Sequence, residues 1–206
     1  MPKAEFALYN TMSGDSLVNR PRNAWADNAT QPKGPGRNWK MEEAASVITD
    51  SLTLTPRNFE NGKAMFAASQ CLSCHNMKGE GGTSGPDLTQ LGTRFSAKDI
   101  LEAIIDPSKT ISDQYGATVL YLKDGGSVIG RIVSQDDQKY SISQNPFAPQ
   151  ILRDVPKKDV TRTRVSEISP MLPGMVNRLN PEELRDLIAY LVSGGNKDNE
   201  IYKGKN

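Results

Sequence analysis

The chain holds 206 residues, 36% hydrophobic and 24% charged, with 25 basic against 24 acidic side chains, two cysteines and one histidine. A net charge of +1 supplies no field to gather polyanions, which argues against a general nucleic-acid binder. The longest apolar run, around Val119 to Leu122, falls far short of the roughly 20 residues that cross a bilayer, so no transmembrane segment is expected.

Residues 1–54 form a polar arm. They include Asn28-Ala29-Thr30-Gln31-Pro32-Lys33-Gly34-Pro35-Gly36 and show no sustained period of 2 or 3.6 before residue 41. The opening Met1-Pro2-Lys3-Ala4-Glu5 lacks the apolar core of a secretory signal, so a signal was either removed before residue 1 or never present. Trp25 and Trp39 fit a free tail poorly, because an indole left in water wastes apolar area that docking buries. Met41, Ala44, Ala45, Ile48 and Leu52 share one face of a short helix expected over 41–52. Thr55-Pro56 then supplies an N-cap and a proline at the first helical position, predicting a helix from there to about Ser69.

Directly after that helix comes Cys71-Leu72-Ser73-Cys74-His75. Cys-x-x-Cys-His is the attachment sequence of c-type haem: two thiols on a turn each bond one vinyl group, and the adjacent His75 becomes the proximal iron ligand. A thioredoxin-like dithiol needs a strand before its cysteines, whereas a helix precedes these. A structural zinc site needs four ligands, and no Cys or His remains to complete one. A Cys71–Cys74 disulfide would close a tiny loop and stabilise little.

With one histidine in the chain, ligation by two histidines is excluded, and methionine is the usual sixth ligand in electron-carrying cytochromes. Of seven methionines, Met1, Met12 and Met41 precede the domain, Met65 lies in the preceding helix, and Met77 follows His75 too closely to reach around the ring. That leaves the loop Ser169-Pro170-Met171-Leu172-Pro173-Gly174-Met175, with Met171 and Met175 both open.

These segments resemble class I cytochromes c, and more closely the planctomycete-type haem-binding domain that often ends larger proteins. The resemblance runs from about Pro56 to Val192 through the Cys-x-x-Cys-His motif, Gly79-Glu80-Gly81-Gly82-Thr83-Ser84-Gly85-Pro86-Asp87-Leu88, Asp99–Ser108 and Met171-Leu172-Pro173-Gly174. It implies that Pro86 offers its carbonyl to the second ring nitrogen of His75, and that Met171 takes the iron. The family's distal segment reads Met-Pro-x-Gly-Leu; here Leu172 stands where proline is usual, which keeps Met175 as runner-up. Arg94 is expected as a propionate partner and Tyr115 as a core aromatic, rather than as distal acid–base groups.

A last helix is marked by Asn180 and Pro181 at its start, an apolar stripe of Leu184, Leu187, Ile188 and Leu191, and Gly194-Gly195 at its end. By resemblance it crosses the first helix at Gly62, with Phe66 near Tyr190. A middle helix from Ala97 to Ile105 ends before Pro107. Between His75 and Met171 lie 95 residues, and the surplus is strand-like: Thr118–Leu122, a Lys123-Asp124-Gly125-Gly126 turn, Val128–Val133, then Tyr140–Ile142, Gln150–Leu152 and Thr161–Val165. The expected fold is a mainly α cytochrome c fold, three or more helices around one covalent haem, with a small antiparallel β insertion. The haem domain takes residues 55–111 and 169–195, the insertion 112–168, and a polar tail 196–206.

The functional expectation is a mono-haem carrier of single electrons, not an enzyme, with His75 and Met171 on the metal. Its partners would be a periplasmic dehydrogenase as donor and a cytochrome or oxidase as acceptor, with no nucleic acid. Covalent haem attachment generally occurs outside the cytoplasm, so an exported position is expected. A sensor or peroxidase-like enzyme with a displaceable Met is the alternative, and a third has the β insertion as the working part. The basic run Lys157, Lys158, Arg162 and Arg164 suits either a solvated face or an acidic redox partner.

Overall fold

The structure, a computed structural model, describes residues 30–49 and 55–203. Trp25, Met1 and Met12 therefore lie outside the described residues, as do the last residues expected for the arm helix. In chain order the helices are α1 (Met41–Thr49), α2 (Phe59–Ala68), the single turn α3 (Cys71–Cys74), α4 (Leu91–Arg94), α5 (Ala97–Ile105) and α6 (Pro181–Val192). The strands are β1 (Asn76–Met77), β2 (Glu80–Gly81), β3 (Thr118–Leu122), β4 (Ser127–Gln135), β5 (Lys139–Ser143), β6 (Leu152–Pro156) and β7 (Val160–Val165). The described residues hold six α-helices and two sheets, one of two strands and one of five, so helix and sheet both contribute substantially.

Local chemistry sets α5 and α6. Ser96 and Asp99 form a reciprocal capping box on α5, and Asn180 and Glu183 form another on α6, whose first residue is Pro181. Gly194 and Gly195 follow α6 at φ +60° and +66°, the left-handed conformation that ends a helix at little cost to glycine.

The helix expected from Thr55-Pro56 begins later than that signal suggests. Asn58 is its cap, accepting from the Asn61 amide, so α2 starts at Phe59. The residues before it are held by tertiary contacts instead. The Arg57 amide donates to the Ile201 carbonyl at 3.1 Å, the buried Arg57 guanidinium meets Glu182 at 3.0 Å and Asp186 at 3.8 Å, and the Asn58 amide donates to Asp186. These contacts fix 57–58 as extended chain against α6, which outweighs the local helix signal.

α2 crosses α6, and the helical core gathers Trp39, Phe66, Leu101, Leu179, Leu184 and Leu187. Phe66 lies 5.5 Å from the Tyr190 ring, and a Cβ on Gly62 would run into the Asp186 carbonyl. Residues expected as a polar tail fold back: a 3-10 turn, Glu200–Tyr202, sets the Tyr202 ring edge-on to Phe59 at 5.4 Å and its hydroxyl 2.8 Å from Ser193.

The second layer is a five-stranded antiparallel sheet in the order β6-β5-β4-β3-β7. The hairpin turn is local: Gly125 sits at φ +85° and the Gly126 amide donates to Asp124. β4 changes partner along its length, pairing with β3 through residues 127–130 and with β5 through 131–135. Gly130 stands at the change, where a Cβ would strike the Ser143 carbonyl. Leu120, Val128, Ile142 and Val155 form a separate small core there.

The strand expected at Gln150–Leu152 is displaced to Leu152–Pro156, with Val155 opposite Tyr140. Residues 145–151 are consumed by turns instead: Asn145 accepts from the Phe147 and Ala148 amides, and Ala148 accepts from Ile151. Val155 enters the core, while Ile151 stays exposed.

Candidate haem-binding site

The Cys-x-x-Cys-His segment is entered through Gln70, which adopts a left-handed φ of +62° and turns the chain sharply from α2 into α3. His75 closes that turn, its amide donating to the Cys71 carbonyl at 2.9 Å. Both thiols are free and partly buried; Cys71 Sγ lies 3.8 Å from the Ser69 carbonyl and Cys74 Sγ 3.7 Å from the Pro146 carbonyl. Burial pushes the Cys71 thiol up to about 12.

A glycine-rich strip wraps this turn. The Gly82 amide donates to Leu72 and the Gly85 amide to Cys74, while β1 and β2 pair Met77 with Glu80. The strip brings the Pro86 carbonyl to 2.9 Å from His75 Nδ1. A carbonyl only accepts, so Nδ1 bears the proton and Nε2 keeps its lone pair. The described residues give Nε2 no hydrogen bond. Burial holds the His75 pKa below the usual imidazole value, against the opposing pull of the Pro86 bond, so the ring favours the neutral form that can ligate a metal.

Gly85 makes that approach feasible: a Cβ there would lie 2.7 Å from His75 Cε1 and 2.8 Å from Nδ1. Gly85→Ala is accordingly expected to push the ring off the Pro86 carbonyl. Loss of an orienting partner costs roughly 10- to 100-fold in a ligand's hold on its metal. The measurement is the holoprotein's ferrous carbon monoxide uptake and reduction potential beside wild type, and an unchanged pair would refute the steric argument.

Met171 lies on the other side of the sequence, in a loop without helix or strand. Its amide donates to Ser169 Oγ at 3.1 Å, the Ser169 amide donates to Ser108 Oγ at 3.1 Å, and the side chain packs partly buried on the helical core. Met175 is half-buried and not among the side chains packed on that core. Met65 and Met77 are fully buried core side chains, and Met41 packs on the same core from α1. Arg94 ends α4, exposed, with its guanidinium 5.7 Å from the Phe95 ring centre. The structure thus brings Cys71, Cys74, His75 and Pro86 together and sets Met171 in a separate loop on the same core.

Two contacts from the β layer had no local signal in the sequence. Arg131 of β4 donates from Nη1 to the Ser84 carbonyl at 3.2 Å and lies 5.3 Å over the Tyr115 ring, and the 145–151 turn sets Pro146 against Cys74. Ser84 Oγ is buried with no hydrogen-bond partner. The basic run stays at the surface, with Lys158, Arg162 and Arg164 exposed; Arg162 lies over Tyr121 at 4.5 Å, Lys157 over Tyr140 at 5.0 Å, and Arg164 pairs with Glu167.

Two thiols flanking one turn, a neutral imidazole with an unpartnered Nε2, and a glycine clearing the ring fit a covalently held haem. Residues 59–139 match the family model for cytochrome c, from the first residue of α2 to the first of β5. The chain contains a cytochrome c domain. That family implies covalently bound haem c and haem-based electron transfer. No curated protein gives a significant match to the chain. The methionine loop and α6 lie beyond the matched stretch. Among the described residues no helix is long and apolar enough to cross a membrane.

Proposed function

We propose that this chain is a mono-haem electron-transfer protein, or the electron-transfer domain of a longer one, of the planctomycete type. Its haem is bonded through Cys71 and Cys74 and its iron is held by His75 and Met171. The observation that carries the reading is the His75 Nδ1 to Pro86 contact of 2.9 Å, which fixes the tautomer and frees Nε2. When bound, haem supplies an iron centre that accepts and releases one electron.

The chain's own residues prepare that centre. Pro86 orients the imidazole, burial keeps it neutral, and Met171, packed partly buried on the helical core, would supply the thioether. A weak neutral donor such as a thioether raises the reduction potential relative to a second imidazole. With His75 and Met171 both holding the iron, a bound haem would offer no site for substrate, and the domain would carry electrons without chemistry of its own. Residues 55–111 and 169–195 form the haem domain and 112–168 an insertion within it. Its partners are a dehydrogenase as donor and a cytochrome or oxidase as acceptor, at an exported location, as covalent haem attachment implies.

Met171→Ala tests the ligand set. Ferric wild type is expected to show the thioether-to-iron charge-transfer band, and Met171→Ala to lose it while Met175→Ala keeps it. The reverse pattern would transfer the role to Met175. Fast carbon monoxide binding to reduced wild type would replace the carrier with an open-site sensor or peroxidase-like enzyme.

A further inference from the structure

The polar arm does not hang free. Residues 31–39 lie along 177–183, the stretch that leads from the methionine loop into α6. The Trp39 indole Nε1 donates to the Leu179 carbonyl at 3.1 Å with the side chain only 4% exposed, and the Trp39 amide donates to Asn177 Oδ1 at 3.2 Å. Asn177 Nδ2 returns a bond to Asn38 Oδ1 at 3.2 Å, and Asn180 Nδ2 donates to the Gly34 carbonyl at 3.2 Å. The Lys33 amide donates to Glu183 Oε1 at 2.6 Å, reaching the carboxylate that also closes the α6 capping box. At Gly36 the backbones approach so closely that a Cβ would collide with the Asn177 carbonyl.

The segment these bonds hold has little structure of its own. Between Ser169 and Asn180 there is no helix or strand, and its own backbone bonds are short-range, from Asn177 to Gly174 and from Leu179 to Val176. Residues 169–175, ahead of the buried Val176 and Leu179, have no ladder of backbone bonds, and stretches of that kind open at free energies below that of global unfolding. The long-range bonds from the arm join the buried Val176 and Leu179 and the Ser169–Ser108 bond in fixing where the loop leaves the helical core. Both ends of this contact lie outside the stretch that matches cytochrome c.

We propose that the arm is a strap on the methionine loop, with Trp39 as its principal positioning residue, and that it governs how often Met171 leaves the iron. The inference rests on Met171 being the sixth ligand. Trp39 touches neither haem nor iron; it acts through Leu179 and Asn177, two short turns after Met171. Releasing the strap leaves the attachment of haem untouched and raises the population in which the distal position is open.

The test uses the full-length holoprotein and three readouts: the alkaline pH at which the ferric thioether band is half lost, the rate of carbon monoxide association with the reduced protein, and Tm. Trp39→Phe keeps most of the apolar area and removes the N–H bond to Leu179; about fivefold faster association and a lower pH midpoint are expected from one lost hydrogen bond. Trp39→Ala is expected to exceed tenfold. Asn177→Ala, which removes both the Trp39 amide and the Asn38 contacts from the loop side, serves where Trp39→Ala does not accumulate. Ile142→Ala, in the separate core of the sheet, is the control: it lowers Tm with band and rate at wild-type values. If the Trp39 variants lower Tm but keep the wild-type midpoint and rate, the arm is packing alone and the strap is overturned, with the ligand reading intact. If wild type itself shows no thioether band, the ligand reading fails and the strap falls with it.

Discussion

The double variant Cys71→Ala, Cys74→Ala is expected to run blank on a denaturing gel stained for haem, beside a strongly stained wild type. The effect is all-or-none because the chain has no other cysteine through which haem could be bonded. The two cysteines begin and end one helical turn, and His75 caps it. Each thioether forms by addition of S–H across a vinyl double bond, so no leaving group or oxidant is required. Each single variant keeps one bond and is expected to retain stain. The partly buried Cys71 thiol, pushed up to about 12 by desolvation, stays protonated across the physiological range, so the unreacted chain resists alkylation at that position. A stained double variant would show that haem is held by some other covalent bond, and the site would have to be sought elsewhere.

What could be read from the sequence was what short spacings decide. Cys71, Cys74 and His75 declare themselves within five residues, and α5 and α6 are delimited by caps whose partners lie three residues away. The start of α2 differs from its local signal because long-range contacts outweigh that signal. Thr55-Pro56 is a good helix opening in isolation, but Arg57 and Asn58 are bonded to residues more than 120 positions later, and Asn58 takes over the cap. Trp39 illustrates the same limit from the other side. The waste of an exposed indole argued for docking, yet nothing near residue 39 names Leu179 as the acceptor.

The β layer divides similarly. Asp124-Gly125 fixes a hairpin through its own turn chemistry, so β3 and β4 were legible. That β4 would switch partners at Gly130, deliver Arg131 to Ser84, and be followed by a turn covering Cys74 depends on how the whole sheet is set against the haem segment. Period-2 alternation carries no information on which loop a strand's far face will meet. The ring contacts of the basic run were hidden for the same reason: Arg162 stays exposed as a solvated residue does, yet it and Lys157 lie over the rings of Tyr121 and Tyr140.

Gly62→Ala should destabilise the protein, and the sign is the diagnostic. Within an isolated helix the substitution stabilises by about 1 kcal/mol, because alanine loses less backbone freedom on folding than glycine does. Here α2 meets α6 at that glycine. A Cβ would enter the Asp186 carbonyl and stand 2.9 Å from Tyr190 Cβ, while Phe59 and Phe66, one turn to either side, each hold the Tyr190 ring at 5.5 Å. The obstructing atom is backbone, so no rotamer change relieves it and the helices must separate. Separation also loosens Asp186, a buried carboxylate bonded to the Asn58 amide and to Asn61 Nδ2 at 2.8 Å. Overpacking of this kind costs about 1–3 kcal/mol, and each buried bond weakened adds about 1 kcal/mol. The contact term therefore exceeds the propensity gain for alanine, and Gly62→Leu, with three further carbons at the crossing, should cost about 3 kcal/mol or more. At about 2–4 °C per kcal/mol for a chain of this size, the leucine variant's Tm falls by roughly 6–12 °C, measured by calorimetry on the holoprotein. A Gly62→Ala protein more stable than wild type would mean that α2 and α6 do not meet at this residue.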